Sequence, residues 1–412
     1  MASRHKHRSG ASVLSFLGGI LLALLLFDSG LRLVEATPLW RILPVIEPIP
    51  GQPDREFGFD ATPGAEGIWS KEHRSRIRVN SLGLRDVERD LVKPAGTIRV
   101  GLLGDSMVEA MQVSQEATFG ALAERRLHSE GYKIELINLA IAGPSPLRQL
   151  LRLEKRGYAL NLDLVLANSA SSSFWSGPLR DDSQNPGYVE ADDGQLVRGY
   201  AFRQRFSQRH ANDLLGRSFV ALYQHSPLLR MLYLRGREPS QLLRVTATQA
   251  ASPSIAPIAA PDPAALCRAA ATALEPHIEL WMHHQPGREW AATAQFLDEF
   301  SQSTAAHGVE VLYAVRDIPL SPLNCPTVDE RRAELISTMA AEFSRRGMTF
   351  VDWSARVAAA AGRRDLESLH GFGVQRGGGH LNYDGHRAWS SALVDLLKTE
   401  LPRLHGDRRP TL

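Results

Sequence analysis

Three short stretches carry residue types that could do chemistry together. Gly104-Asp105-Ser106 closes an apolar run, NLAIAG (Asn138 to Gly143) closes a second, and RGGGHLNYDGH (376 to 386) lies near the C-terminus. A serine at a strand end can expose its hydroxyl as a nucleophile, while the backbone N–H groups there point at a substrate oxygen. A glycine, lacking Cβ, lets the backbone approach and donate its own N–H. A histidine just ahead of a helix tends to stay neutral and able to accept a proton, because the positive helix end disfavours imidazolium. Ser106, Gly143 and His380 are thus candidates for nucleophile, oxyanion donor and general base. Taken singly, the stretches read equally well as a capped turn, a strand-to-helix turn and a surface-loop histidine. Asn382 is expected to cap the last helix, with Asp384 in its first turn.

The elements that must position these residues follow from periodicity. Short apolar runs predict strands at 98–103, 134–139, 162–167, 309–315 and 349–352. Helical spacing predicts helices over 117–127, from Pro146, over 290–307, 328–346 and 383–397. Strands alternating with helices imply a parallel sheet wound on both faces, with a site at the carboxyl ends of its strands. Between 170 and 290 the alternation is lost: 203–234 looks helical and amphipathic, and 246–263 is rich in Ala, Pro and Ser.

The chain has 412 residues, 43% hydrophobic and 22% charged, with a formal net charge of +2. That is an ordinary globular balance and argues against a nucleic-acid surface. Arg4, Lys6 and Arg8 precede a charge-free stretch from Ser9 to Phe27, close to the roughly 20 apolar residues that span a bilayer. Basic residues ahead of the span place the N-terminus in the cytoplasm and the remainder in the periplasm or outside the cell. The expectation is a single-pass anchor in a bacterial inner membrane. A cleaved signal peptide ending near Val34-Glu35-Ala36 is the rival.

The expected organisation is a stub and anchor over 1–36, then a Pro/Gly-rich stalk, or an extended segment lying on the main domain, over 37–75. The main domain follows over 76–405, with a helical and low-complexity insert at about 176–288. Cys267 and Cys325 are either a disulfide or two buried thiols. His277, His283 and His284 lie near Trp281 and Trp290, but no HExxH or CxxC spacing accompanies them, and no metal or cofactor is expected. Trp175, Trp281 and Trp290 are read as core or rim packing, with a sugar cleft as the alternative.

Taken in order, the Ser, Gly and His blocks resemble the SGNH (GDSL) hydrolase superfamily. IRVGLLGDSMVEAMQVSQEATFGALAERRL is similar to its first block, with Ala110 where a glycine is usual. INLAIAGPSPLRQ is similar to the second block and HLNYDGHRAWSSAL to the last. RVNSLGLRD (78 to 86) resembles the segment ahead of the serine block in membrane-anchored bacterial members. The likeness covers roughly 76–170 and 290–400.

It implies a three-layer α/β/α flavodoxin-like fold and a serine ester hydrolase or O-acyltransferase. Ser106 would be nucleophile and His380 base, with an oxyanion hole from the N–H groups of Ser106 and Gly143 and an asparagine side chain. Two departures stand out. The asparagine position of the third block falls near Ser171 or Ser172, so Asn168, at the strand end, is the substitute considered. The acid expected just before His380 is replaced by Gly377 and Gly378. The first reading is a Ser–His dyad. A relocated carboxylate comes second, with Asp384, Asp365 and Glu367 in view, and a degraded site third. The expected substrate is an O-acyl group, acetyl foremost, on an envelope or secreted polysaccharide. The alternatives are an inactive glycan- or partner-binding module and a lipid-directed lipase.

Overall fold

A computed structural model describes residues 6–37, 51–54, 58–69, 72–143, 145–175, 177–181, 185–201, 262–321, 325–362 and 366–406, with a few positions between 218 and 232. The chain divides into two units, one of residues 1–49, 67–69 and 209–254, the other of 50–66, 70–208 and 255–412. The first contains helix α1 (Lys6–Ala36), whose stretch Ser15–Val34 is long and apolar enough to cross a membrane, a property that signal sequences share.

The second unit is built on a five-stranded parallel sheet: β1 (Ile98–Leu103), β2 (Ile134–Asn138), β3 (Leu164–Ala170), β4 (Glu310–Arg316) and β5 (Thr349–Asp352). The spatial order is β5-β4-β3-β1-β2, the flavodoxin-like arrangement expected from the sequence. Alternate side chains go to opposite faces. Val165, Ala167, Val311, Tyr313 and Val315 pack in one core; Leu164, Leu166, Leu312 and Ala314 pack in the other.

The first core is closed by α4 (Pro146–Arg152), α5 (Pro263–Trp281), α6 (Gly287–Ala306) and α7 (Pro326–Ser344). The second is closed by α3 (Phe119–Ser129), α8 (Trp353–Ala361) and α9 (Tyr383–Gly406). Between the first strand and α3 lies the four-residue helix α2 (Ser106–Glu109). Burial of each large apolar side chain contributes about 1.5–3 kcal/mol, so two filled faces hold the sheet as a rigid platform.

Three expectations change. β3 runs on to Ala170 rather than stopping at 167, because β4 stays paired with it as far as Arg316↔Ala170. The polar residues there find partners inside the protein: Ser169 Oγ meets Tyr313 Oη at 3.0 Å and Asn168 Oδ1 accepts from Arg316 Nη1 at 2.8 Å, leaving only Asn168 Nδ2 of these side chains without one. An apolar-run criterion cannot see such a strand end. The described residues from 51 to 75 are not a free stalk. Gly51–Asp54 and Gly58–Ala61 pair as an antiparallel hairpin, and buried Asp60 forms ion pairs with Arg152 and Arg156.

The region from 176 to 288 is only partly an insert. Gly187–Glu190 and Leu196–Gly199 form a hairpin, and α5 buries Leu274, Ile278 and Trp281 in the first core. Cys267 of α5 is disulfide-bonded to Cys325, just ahead of α7, which settles the two readings of that pair. The stretches 203–234 and 246–263 fall almost wholly outside the described residues.

Candidate active site

Ser106 opens α2 directly after β1. Asp105 caps that helix, its Oδ1 accepting from Met107 N at 3.0 Å. The turn is tight because Gly104 faces Val108: a Cβ there would come within 2.3 Å of Val108 Cγ2. Ala110 ends the helix at φ +59°, in the left-handed region where a glycine costs least.

Gly143 lies in the loop after β2 at φ +135°. Any Cβ at this position would come within 2.8 Å of Arg148 Nη1 and 2.9 Å of Asn185 Oδ1, so space and backbone both require glycine. The preceding peptide is clamped on both sides: Ala142 N donates to Glu109 Oε2 at 2.9 Å, and Arg148 Nη1 donates to Ala142 O at 2.5 Å. Glu109 is fully buried, which raises its pKa, while Arg85 and Arg148 act in the opposite direction. RVNSLGLRD supports the same region from below. Arg85 donates to the carbonyls of Glu109 and Val113, and Asp86 Oδ2 accepts from Asn138 N at 3.1 Å.

His380 precedes α9, and Asn382 caps that helix by accepting from Gly385 N at 3.0 Å. His380 Nε2 lies 2.8 Å from Ser106 Oγ, so the structure brings together two candidates 274 residues apart. Its other ring nitrogen, Nδ1, lies 2.8 Å from Glu72 Oε1, and its backbone N donates to Glu72 Oε2 at 2.9 Å. Both side chains remain partly exposed, 24% for His380 and 22% for Glu72.

Glu72 was not among the sequence candidates, because it lies in the segment read as stalk and 308 residues from its partner. It is held in an uncommon backbone conformation, φ +64°. Its neighbour His73 is pinned between Phe372, stacked at 4.5 Å, and the edge of Tyr383 at 5.6 Å, and burial lowers the His73 pKa.

Of the glycines before His380, Gly379 makes room for this acid, whereas a Cβ on Gly377 or Gly378 would meet nothing within 4 Å. Gly379 has φ +80°, and a Cβ there would meet the Glu72 carboxylate at 2.9 to 3.1 Å. The only sequence signal for Glu72 was therefore indirect, a run of small residues where a carboxylate was missing.

The remaining expectations divide. Asp384 does not orient His380. It is half-exposed and paired with Arg376 at 3.2 Å and with Arg387, while the histidine's Nδ1 is already taken. Asp365 lies outside the described residues, and Glu367 is exposed. Asn168 is buried with its carbonyl oxygen on Arg316 and its Nδ2 without a partner. The amide beside Gly143 belongs to Asn185 instead.

Ser171 Oγ donates to Asp317 O at 3.2 Å. Trp281 is fully buried; Trp175 packs against His277, whose pKa burial lowers to about 4, and Trp290 stacks on His284 at 4.1 Å. Among the described residues no group of three or more His, Cys, Asp and Glu could hold a metal ion.

No protein-family model matches the chain, and no curated protein matches it. Solved structures similar to it include TesA, at 14% identity and a TM-score of 0.34, covering 73% of this chain and 98% of that one. The psychrotrophic esterase EstA from Pseudoalteromonas sp. is similar at 13% identity and a TM-score of 0.33, covering 74% and 98%. A lipase/acylhydrolase from Enterococcus faecalis is similar at 12% identity and 0.33, covering 74% and 96%. The α/β fold and the site stand on the geometry above rather than on these likenesses.

Proposed function

We propose that the chain is an exported, membrane-anchored serine ester hydrolase or O-acyltransferase of the SGNH type. Its substrates in this reading are O-acyl groups, acetyl foremost, on an envelope or secreted polysaccharide. The observation that carries the chemistry is the continuous line from Glu72 through His380 to Ser106, two contacts of 2.8 Å each. That is the hydrogen-bonded nucleophile, base and orienting acid from which acyl transfer is built.

Ser106 Oγ attacks the acyl carbonyl carbon while His380 Nε2 takes its proton. Glu72 holds the ring through Nδ1 and stabilises the imidazolium that forms. The carbonyl oxygen becomes an oxyanion facing the N–H groups of Ser106 and Gly143. Beside Gly143 the side chain of Asn185 presents its Oδ1, an acceptor, so in this reading the amide must turn over to offer its N–H groups as the third donor in place of Asn168. When the intermediate collapses, His380 gives its proton to the leaving sugar oxygen. Water or another sugar hydroxyl then attacks the acyl-enzyme, with His380 again as base.

The location is supported by the apolar stretch Ser15–Val34 of α1 with Arg4, Lys6 and Arg8 ahead of it, and by the Cys267–Cys325 disulfide, which suits an oxidising compartment. The polysaccharide comes from the resemblance together with that location, and from no residue of the site. The inactive-module alternative drew on two losses, the third-block asparagine and the acid before His380, and in this reading Glu72 supplies the second.

The test is labelling of the full-length chain in detergent by a fluorophosphonate. Labelling is expected in the native chain and absent from Ser106→Ala. Equal labelling of both would sink the assignment. Faster turnover of long-chain esters than of acetyl esters would favour a lipase over a polysaccharide enzyme.

A further inference from the structure

The least expected charge near the site is Arg316, at the carboxyl end of β4. It is 6% exposed, yet it carries a guanidinium into the sheet edge behind the serine turn. Its Nη2 donates to Asp105 Oδ2 at 2.6 Å and its Nη1 to Asn168 Oδ1 at 2.8 Å. Asp105 and Asn168 are also buried, 8% and 2% exposed. Its one further acidic contact is Asp317 at 3.4 Å, whose side chain is 55% exposed.

We infer that Arg316 is a positioning residue for the reaction, setting the charge and attitude of the nucleophile turn through Asp105. This rests on the nucleophile assignment above. Asp105 uses both carboxylate oxygens, Oδ1 on Met107 N and Oδ2 on Arg316. It immediately precedes Ser106, whose N–H is to face the developing oxyanion. An uncompensated carboxylate there would oppose that charge, and at such range inside a protein the effect is large. Arg316 neutralises it while its planar fork ties the turn to the end of β3 with two separate nitrogens, a fixed geometry that a lysine's single point charge does not reproduce. Orientation of Asn168 comes with the same contact: its carbonyl oxygen is drawn to the guanidinium.

Among the described residues the charged and titratable groups that meet His380 include Glu72 at Nδ1, the Asp105–Arg316 pair beyond Ser106, and His386, on which His380, His370 and Arg85 all act electrostatically. The Asp105–Arg316 pair adjoins the serine and can be switched from neutral to either sign by single substitutions. That makes the inference testable through the acid limb of the pH–rate profile, which reports protonation of the base.

The experiment uses the full-length chain in detergent, with 4-nitrophenyl acetate turnover and fluorophosphonate labelling followed from pH 5 to 9. Arg316→Gln leaves a net negative charge that favours imidazolium, so the acid limb should move up by about 0.5–1 pH unit. Asp105→Asn leaves a net positive charge, and the limb should move down by a similar amount. The double variant Asp105→Asn/Arg316→Gln should bring the limb back to its native place. In Arg316→Gln kcat should fall about ten- to a hundredfold with KM within about threefold, since the interaction matters most as the oxyanion forms.

A merely structural arginine would lower the amount of folded protein without moving the limb in opposite directions. Limbs that stay put, or move the same way in both single variants, would overturn the inference. Should Arg316→Gln not fold, Asp105→Asn decides alone, because an unmoved limb there is also fatal. A native chain that the fluorophosphonate does not label at Ser106 refutes the nucleophile assignment itself, a result distinguishable from any change in the variants.

Discussion

His380 and His386 belong to the same short stretch and lie six residues apart, yet their surroundings are opposite. His380 is partly exposed and engaged at both ring nitrogens, by Ser106 and by Glu72. His386 is 1% exposed, lies parallel to Phe119 with ring centroids 6.4 Å apart, and neither ring nitrogen has a hydrogen-bond partner. Burial lowers its pKa to about 3, with Arg85, His370 and His380 adding to the effect. One histidine is shaped by a carboxylate brought from far away; the other is a core side chain. The residue type is the same, and the neighbours decide which one can move a proton.

The sharpest way to break this contrast is to remove the carboxylate. Glu72→Gln keeps the size of the side chain and loses the charge. It is expected to lower kcat about 10²–10⁴-fold, the range seen when the acid of a serine triad is neutralised, while KM changes little. Steady-state kinetics on acetyl esters measure it. A drop below about fivefold would return the site to a bare Ser–His dyad.

Gly379→Ala attacks the same contact from the other side. The new Cβ would stand 2.9 Å from Glu72 Oε2 and force φ +80° on a residue that resists it. A fall of about ten- to a hundredfold is expected, smaller than for Glu72→Gln because the carboxylate can shift rather than vanish. In the Glu72→Gln background the same substitution should cost far less, since the two act on one contact. Independent, additive losses would mean that Gly379 serves the loop and not the acid.

How much of this was legible depends on range. The strands of the sheet were readable because each is a short apolar run between turns. Ser106 and Gly143 each read locally as an ordinary turn, and their roles were expected only from the order of the three blocks and the resemblance they carry. Asn382 announced α9 through capping chemistry. What could not be read were pairings across long separations. Glu72 lies in a segment poor in apolar periodicity, and nothing local marks it as His380's partner. Asn185 follows residues with no strand or helix signal. Arg316 ends a strand whose polar tip is satisfied only by Asp105 and Asn168 of other elements. The three glycines at 377–379 were read as a loss, whereas Gly379 is the vacancy that the distant acid fills.

At His386 the contrast is tested through stability. A group with a folded pKa of about 3 and an unfolded value near 6.5 binds more protons when unfolded across that interval. Its contribution is therefore fully present above about pH 6.5 and is lost as pH falls toward 3. Between pH 7 and 4.5 the loss is on the order of 2–3 kcal/mol. His386→Leu should remove that much of the acid sensitivity, seen as converging urea midpoints at the two pH values, with acetyl esterase activity near neutral pH within about threefold of native. An unchanged acid sensitivity would mean that the ring is not kept neutral by its burial.

Asp384 supplies the smallest expected effect and the cleanest control. It is nearer in sequence to His380 than any other acid, and its side chain is 50% exposed between Arg376 and Arg387. Exposed ion pairs of this kind are worth at most about 1 kcal/mol. Asp384→Asn should therefore leave kcat within about threefold of native and cost less than about 1 kcal/mol of stability, measured by the same kinetics and urea titrations. Proximity in sequence favours Asp384, and the hydrogen bonds favour Glu72. If Asp384→Asn matched the loss expected of Glu72→Gln, the working arrangement would have to pass His380 Nδ1 from one carboxylate to the other. The two histidines would then differ in how far their loop can move, and not only in which neighbours surround them.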